Sequence, residues 1–357
     1  MLRLSIILCF SIVFNNLWAN TYINESIESD TKWTRANSPY IIVNNISIKE
    51  GATLVIEAGT KVLFSAETQI TVDGTLRAIG NKKKRIIFTG KEEFTSWNGF
   101  MFTRTCGQYK EDSKEGSIFD FCSFKGMGES PTHLIRTKGC NLLIANCSIE
   151  GCYTAIQSER QAKVYVDKNS FKNCNRPINI RNTSMGVITN NKMEECNSIM
   201  LGGTTTFSGN VLKKFSGKGR HSGVIIWMLG GGIVDIVNNQ FLKFEDYAIK
   251  LQKMSRRSSL NLKNNTFKDN GTNLKFSCKY LSKGKTVVEN NNFYNFVEYH
   301  IRLFSPCDEE GESALQIGPN YWGKISEAEL NAATFDQTKD ENLGAKVTYE
   351  KPLPKAQ

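Results

Sequence analysis

Short alternating runs of apolar and polar residues recur along almost the whole chain. Lys163-Val164-Tyr165-Val166 and Gly186-Val187-Ile188-Thr189 are two of them. A second run follows each after a brief interruption, as in Pro177-Ile178-Asn179-Ile180 and Ala248-Ile249-Lys250-Leu251. A period of two over so few residues marks β-strands, and no window sustains the 3.6-residue period of an amphipathic helix. The pattern predicts an all-β protein and excludes a helical solenoid.

Between the two runs stands a fixed unit: Asn, any residue, then an apolar residue. Its copies are Asn169-Ser170-Phe171, Asn191-Lys192-Met193, Asn210-Val211-Leu212, Asn239-Gln240-Phe241, Asn265-Thr266-Phe267, Asn291-Asn292-Phe293 and Asn320-Tyr321-Trp322. Cys122-Ser123-Phe124 and Cys147-Ser148-Ile149 hold the same frame with Cys in place of Asn. From Phe124 to Trp322 the steps are 25, 22, 22, 19, 29, 26, 26 and 29 residues, a period that signals a solenoid. Strands this short cannot bury their faces alone. Stacked about 4.8 Å apart, they pair in parallel and enclose a continuous core. Like residues then fall into columns. Each Asn bonds the backbone of its turn and the Asn above, while Phe and Ile stack inside. Cys152, Cys174 and Cys196 each follow the core apolar residue by three positions, which predicts a buried column of small hydrophobes.

The order of strand, Asn bend, short strand with Phe, loop and next strand resembles the right-handed parallel β-helix of the pectate-lyase superfamily, over most of the chain. The opening is similar too, through Ile46-Ser47-Ile48, Gly51-Ala52-Thr53-Leu54-Val55-Ile56, Gly59-Thr60-Lys61-Val62-Leu63-Phe64, Gly74-Thr75-Leu76-Arg77-Ala78 and Ile86-Ile87-Phe88-Thr89. So is the end, where Asn320-Tyr321-Trp322-Gly323 precedes Phe335-Asp336. The resemblance implies a right-handed single-stranded parallel β-helix of roughly 10–12 coils. It implies no one activity, because this coil carries lyases, hydrolases, epimerases, binding modules and inert fibres.

Met1 to Ala19 reads as a secretory signal, with Arg3, an apolar stretch from Leu4 to Phe14 and a cut near Ala19. That stretch is too short to span a bilayer, and no later segment does so. The expected layout is an N-terminal cap or tether over 20–39, the β-helix over 40–324, and a C-terminal cap and tail over 325–357. A short capping helix is expected over Ile325 to Leu330. Gln108 to Gly116 and Gly217 to Gly223 read as loops thrown out from the coils. A secreted, periplasmic or cell-envelope location follows. Net charge is +10, from 45 Lys and Arg against 35 Asp and Glu, or about +9 without Arg3, which favours anionic partners. Without Cys9, the odd number of cysteines and the absence of zinc-finger spacing argue for buried thiols beside a few bridges. Cys278 and Cys307 lie in corresponding turns of adjacent coils, as do Cys106 and Cys140 less clearly, so two disulfides are expected.

The resemblance places sugar binding and catalysis on the outer face of the strand after the Phe loop. With the apolar members inward, alternation points Gln157, Glu159, Asn179, Arg181, Met200, Lys250, Gln252, Lys275, Ser277, His300 and Arg302 outward. The apolar coil from Val224 to Leu229 has no clear register. Arg181, Lys250, Lys275, His300 and Arg302 become candidate contacts for an acidic polysaccharide or an anionic envelope surface. The plainer alternative is a solvated basic face. Arg181, Lys250 and Arg302 are also candidate bases for a polyuronate lyase. Related lyases add calcium, yet Glu159 is the only acid on this face, so no metal or cofactor is expected. The carboxylate pair of a glycoside hydrolase is missing from the face, as are the polygalacturonase and alginate-epimerase motifs. His133, His221 and His300 fall in different coils and read as structural or solvated rather than as ligands. Gly230-Gly231-Gly232 has no helix after it and cannot cradle phosphate. Nucleic acid is not expected, for want of aromatics interleaved with the charges. The expectation is a secreted non-catalytic binding or spacer module, with a polysaccharide lyase as the alternative.

Overall fold

The computed structural model describes residues 20–357, apart from 93–95, 127–132, 182, 217–221, 282 and 308–312. The expected signal over Met1 to Ala19, His221 and most of the Gly217 to Gly223 loop lie outside the described residues.

Each coil gives one strand to each of three parallel sheets, which hold 11, 12 and 12 strands. The pre-Asn sheet contains strands such as Lys163–Asp167, the post-Asn sheet Ser170–Lys172, and a third, here the stripe sheet, Arg176–Ile180. Every strand pairs with its counterpart one coil away. Val164 meets Gly186, Phe171 meets Met193, and Ile156 meets Ile178. Residues some two dozen apart are therefore vertical neighbours, and the all-β parallel solenoid stands.

The corner before each ladder residue up to Asn291 is made by one residue with positive φ. Asn146, Lys168, Asn190, Asn238, Asn264 and Asn290 lie between 52° and 60°, a region in which Asn is favoured among side-chain-bearing residues. The chain turns there and the next side chain drops inside. Asn191 Oδ1 accepts from Asn169 N at 2.9 Å and Asn169 Nδ2 at 3.0 Å, while Asn191 Nδ2 donates to Val166 O at 2.9 Å. The same triplet repeats through Asn210, Asn239, Asn265 and Asn291 up to Asn320. With every amide atom paired, a polar column can run through an apolar core.

Beside it runs an aromatic column. Phe241, Phe267, Phe293 and Trp322 stack nearly parallel, at centroid distances of 4.9, 4.8 and 4.3 Å. A second row of positive-φ residues, Gly151, Asn173, Glu195, Lys214 and Lys243, turns the chain into the stripe sheet. The residues after them, Cys152, Cys174, Cys196, Phe215 and Phe244, are buried in one column, so the cysteines stack as expected. Disulfides join Cys106 to Cys140 and Cys278 to Cys307, with Cα atoms 5.9 and 4.9 Å apart.

The ends depart from the expected layout. Within 20–39, Thr21–Ile23 pairs with Tyr40–Ile42 and Thr31–Trp33 with Thr53–Ile56, so the first coil already lies there. The segment reads as polar because few of its residues face inward; Trp33 does, stacked 4.8 Å from Tyr40. At the other end a helix spans Glu327–Ala332, started by a reciprocal pair between Ser326 and Glu329. Thr334–Phe335 closes the stripe sheet, and Ser313–Ile317 pairs with Ala345–Tyr349 in a small separate sheet.

Candidate functional site

The outer face of the stripe sheet is set by its register. One outward column runs Met101, Arg136, Gln157, Asn179, Met200, Ile225, Lys250, Lys275, Arg302 and Phe335, each partnered to the next by strand pairing. The ambiguous coil is thereby resolved: Val224 and Ile226 point in, Ile225 and Trp227 out. Met200 and Ile225 interrupt the basic row. Arg181 does not stack in a continuous line with Lys250, Lys275 and Arg302, and the face carries two separate clusters.

The cluster nearer the C-terminus interleaves cations with aromatic rings. Lys250 Nζ lies 5.3 Å from the Tyr247 ring centre and 4.8 Å from that of Phe304. Lys275 Nζ lies 5.2 and 5.8 Å from the same two rings. Arg302 sits over Tyr299 at 5.7 Å and Phe335 at 5.1 Å, and Lys253 over Trp227 at 4.4 Å. Such contacts hold the flexible stems at fixed places along the groove. Lys250 is only 6% exposed, whereas Lys275, Arg302, Tyr299, Phe304 and Phe335 are half-buried and present part of their surface. Burial pushes the Tyr247 phenol up to about 12, so it stays neutral near neutral pH. The premise that no aromatics interleave with the charges on this face is thus corrected. Glu298 corrects a second one: it adds a carboxylate beside Arg302, at 3.4 Å.

His300 is not an outward residue. It is 1% exposed, its ring 5.9 Å from Phe293 and 5.3 Å from Trp322, with Nδ1 2.8 Å from Asn273 Nδ2. Strict alternation fails because the chain turns at the start of this strand, so two successive residues face in. Leu134-Ile135, Ala155-Ile156, Ala248-Ile249, Asn273-Leu274 and His300-Ile301 are all such buried pairs. Burial pushes the His300 ring down to about 3. A base harder to protonate when folded leaves stability complete above its unfolded value of about 6.5 and lost as pH falls toward its folded one. Stability is expected to fall between about pH 6.5 and pH 3, and less so in His300→Leu; denaturation midpoints across that range check it, and equal slopes would refute it.

The cluster nearer the N-terminus is polar and densely bonded. Arg136 Nη2 donates to both oxygens of Glu159 at 3.1 Å, and Arg181 Nε lies 3.9 Å from the same carboxylate. Gln157 Nε2 also donates to Glu159. Burial alone would raise the Glu159 pKa, but the bond and charge of Arg136, with Gln157 and Arg181, outweigh it and hold the carboxyl below its usual range. Arg136 was missed in the sequence. The signal was present in the buried pair before it, since Leu134-Ile135-Arg136 matches Ala248-Ile249-Lys250. Among the described residues, no three His, Cys, Asp or Glu side chains gather as a metal-binding group.

A family model described as "Right handed beta helix region" matches residues 86–241. No curated protein matches the chain. A mannuronic acid-specific polysaccharide family 6 lyase from human gut microbiota is a similar solved structure, at 10% identity and a TM-score of 0.26, with 93% of this chain and 85% of that one covered. A likeness that slight transfers no role to any residue. The three parallel sheets, each built from one strand per coil, and the match of the family model over the central coils together give this chain the fold of a right-handed parallel β-helix.

Proposed function

We propose that the protein binds an acidic polysaccharide along the stripe sheet, as a secreted or periplasmic module, through the cation–aromatic cluster from Trp227 to Phe335. The observation that carries this reading is the seating of Lys250 and Lys275 against the same two rings, Tyr247 and Phe304. Lys250, Lys275 and Arg302 occupy successive coils, so their spacing along the axis is about 4.8 Å, a regular row of charge suited to a repeating anion. Half-buried rings beside them offer flat apolar surface to sugar faces, and Arg302 a planar fork for a carboxylate or sulfate. An anionic envelope surface would be held by the same charges. Two disulfides support an oxidising compartment. No helix among the described residues is long and apolar enough to cross a membrane.

Replacing Lys275 and Arg302 together with Ala is expected to weaken retention on immobilised polyuronate or heparin by at least about tenfold. Salt should elute the double variant earlier than the native protein. A native protein that passes such columns even at low salt would sink the reading.

A further inference from the structure

Five cysteines among the described residues are free, and all five are buried. Four sulfurs rest against a carbonyl. Cys122 Sγ lies 3.4 Å from Ala78 O, Cys147 Sγ 3.1 Å from Ala145 O, Cys174 Sγ 3.4 Å from Lys172 O and Cys196 Sγ 3.4 Å from Glu194 O. Cys152 differs, because its Sγ donates to another sulfur, Cys174 Sγ, at 3.3 Å. It is also the outermost of the five, 5% exposed against 1% or less for the others. The residue before it, Gly151, is exposed at the turn, where an added side chain would meet nothing within 4 Å. A small reagent can therefore approach the column from this side and from Cys152 first.

The stacking of coils also gives the two backbones the spacing that a bridge requires. Ile149 pairs with Phe171 in register, so Cys152 and Cys174, three residues on in each coil, stand one above the other. Paired coils lie about 4.8 Å apart, inside the range of roughly 4.4–6.8 Å between Cα atoms that a disulfide spans. Cys278 and Cys307, already bonded between neighbouring coils, have Cα atoms 4.9 Å apart. Cys174 lies between two other thiols, and donation from Cys152, then Cys196, pushes its pKa well below the ordinary thiol range. That favours the thiolate, the form that attacks a disulfide. We propose that Cys152 and Cys174 are a redox site, which closes a disulfide between neighbouring coils by exchange with a small-molecule disulfide such as oxidised glutathione and leaves Cys196 as a thiol.

The pair begins with one proton between its two sulfurs, the other having passed to solvent. With the proton on Cys174, the Cys152 thiolate attacks one sulfur of the small disulfide. A mixed disulfide forms at Cys152, the small S–S bond breaks, and the departing thiolate takes the proton from Cys174. The Cys174 thiolate then attacks the Cys152 sulfur and expels the second small thiolate, which recovers a proton from solvent. Two cysteines are oxidised by two electrons, and one small disulfide is reduced to two thiols. Cys196 is fully buried beyond Cys174, out of reach of the reagent. The new bond would lie just before the stripe strands Thr154–Glu159 and Arg176–Ile180 and join their coils there. It concerns a covalent state of the core, so it stands apart from the binding reading.

The test is to equilibrate the folded full-length protein in oxidised glutathione, block the remaining thiols with N-ethylmaleimide in urea, and map the peptides by mass without reduction. The peptides holding Cys152 and Cys174 should be found joined, two hydrogens lighter than their sum, with the label on Cys122, Cys147 and Cys196. Cys174→Ala should leave Cys152 carrying one glutathione and no bridge. Its next sulfur, Cys196, is then two coils away, about 9.6 Å, beyond the limit of roughly 7 Å between Cα atoms for a bond. Label on both Cys152 and Cys174 of the native protein would overturn the proposal, as would a bridge from either to Cys122, Cys147 or Cys196. In the variant, a Cys152–Cys196 bridge or a Cys152 without glutathione would do the same. The native map decides the matter even where the variant fails to fold.

Discussion

Replacing Phe267 with Ala should lower the unfolding free energy by about 4 kcal/mol. Phe267 is fully buried, with Phe241 at 4.9 Å on one side and Phe293 at 4.8 Å on the other. Truncation removes both ring contacts at once. Backbone pairing on each side, Phe241 to Phe267 and Phe267 to Phe293, stops the coils from closing over the gap. In a solenoid that loss falls on the interfaces between neighbouring coils, which supply most of the stability. Phe267→Leu keeps most of the volume and should lose clearly less. Chemical denaturation of both variants checks the expectation. An Ala variant within about 1 kcal/mol of the native protein would mean that the column is not packed as described.

Asn239→Ala should cost a similar amount, on the order of 4 kcal/mol, for a different reason. Its Oδ1 accepts from Asn210 N and Nδ2, and its Nδ2 donates to Phe207 O at 2.8 Å and Val237 O at 3.0 Å. Removing the amide strands several buried groups that water cannot reach, at about 1–3 kcal/mol each with partial relaxation. The exposed neighbour Gln240→Ala should stay within about 0.5 kcal/mol. Equal midpoints for the two variants in urea would contradict the ladder. The chain itself marks where the ladder ends. At Cys147 the thiol lies 3.1 Å from Ala145 O, and the backbone N–H still donates to Asn169 Oδ1 at 2.8 Å. A small thiol that needs few bonds suffices there, since no Asn below requires an acceptor.

The ladder, the aromatic stack and the cysteine column were legible because each depends on a residue type recurring at a fixed place in the repeat. The face of the stripe sheet was legible only in part. Lys250, Lys275 and Arg302 follow simple alternation and do line up. His300 does not, because alternation holds along a straight strand and the chain bends just where His300 stands. Arg136 escaped notice because Cys122 replaces Asn in its coil, which hides the frame that placed the later stripe residues. Tyr247, Tyr299 and Phe304 also escaped notice, since in a β-rich sequence an aromatic is as readily core as surface.

The sequence by itself determined the coil, its period and its interior, because stacking forces like onto like and leaves that repetition written in the chain. Only the tertiary structure decided which charges become neighbours. Lateral contacts on the surface depend on register, on bends and on how far each side chain reaches across coils. Met200 and Ile225 divide the basic row, and Glu159 orders Gln157 and His133 across adjacent coils, through placements that no single repeat encodes.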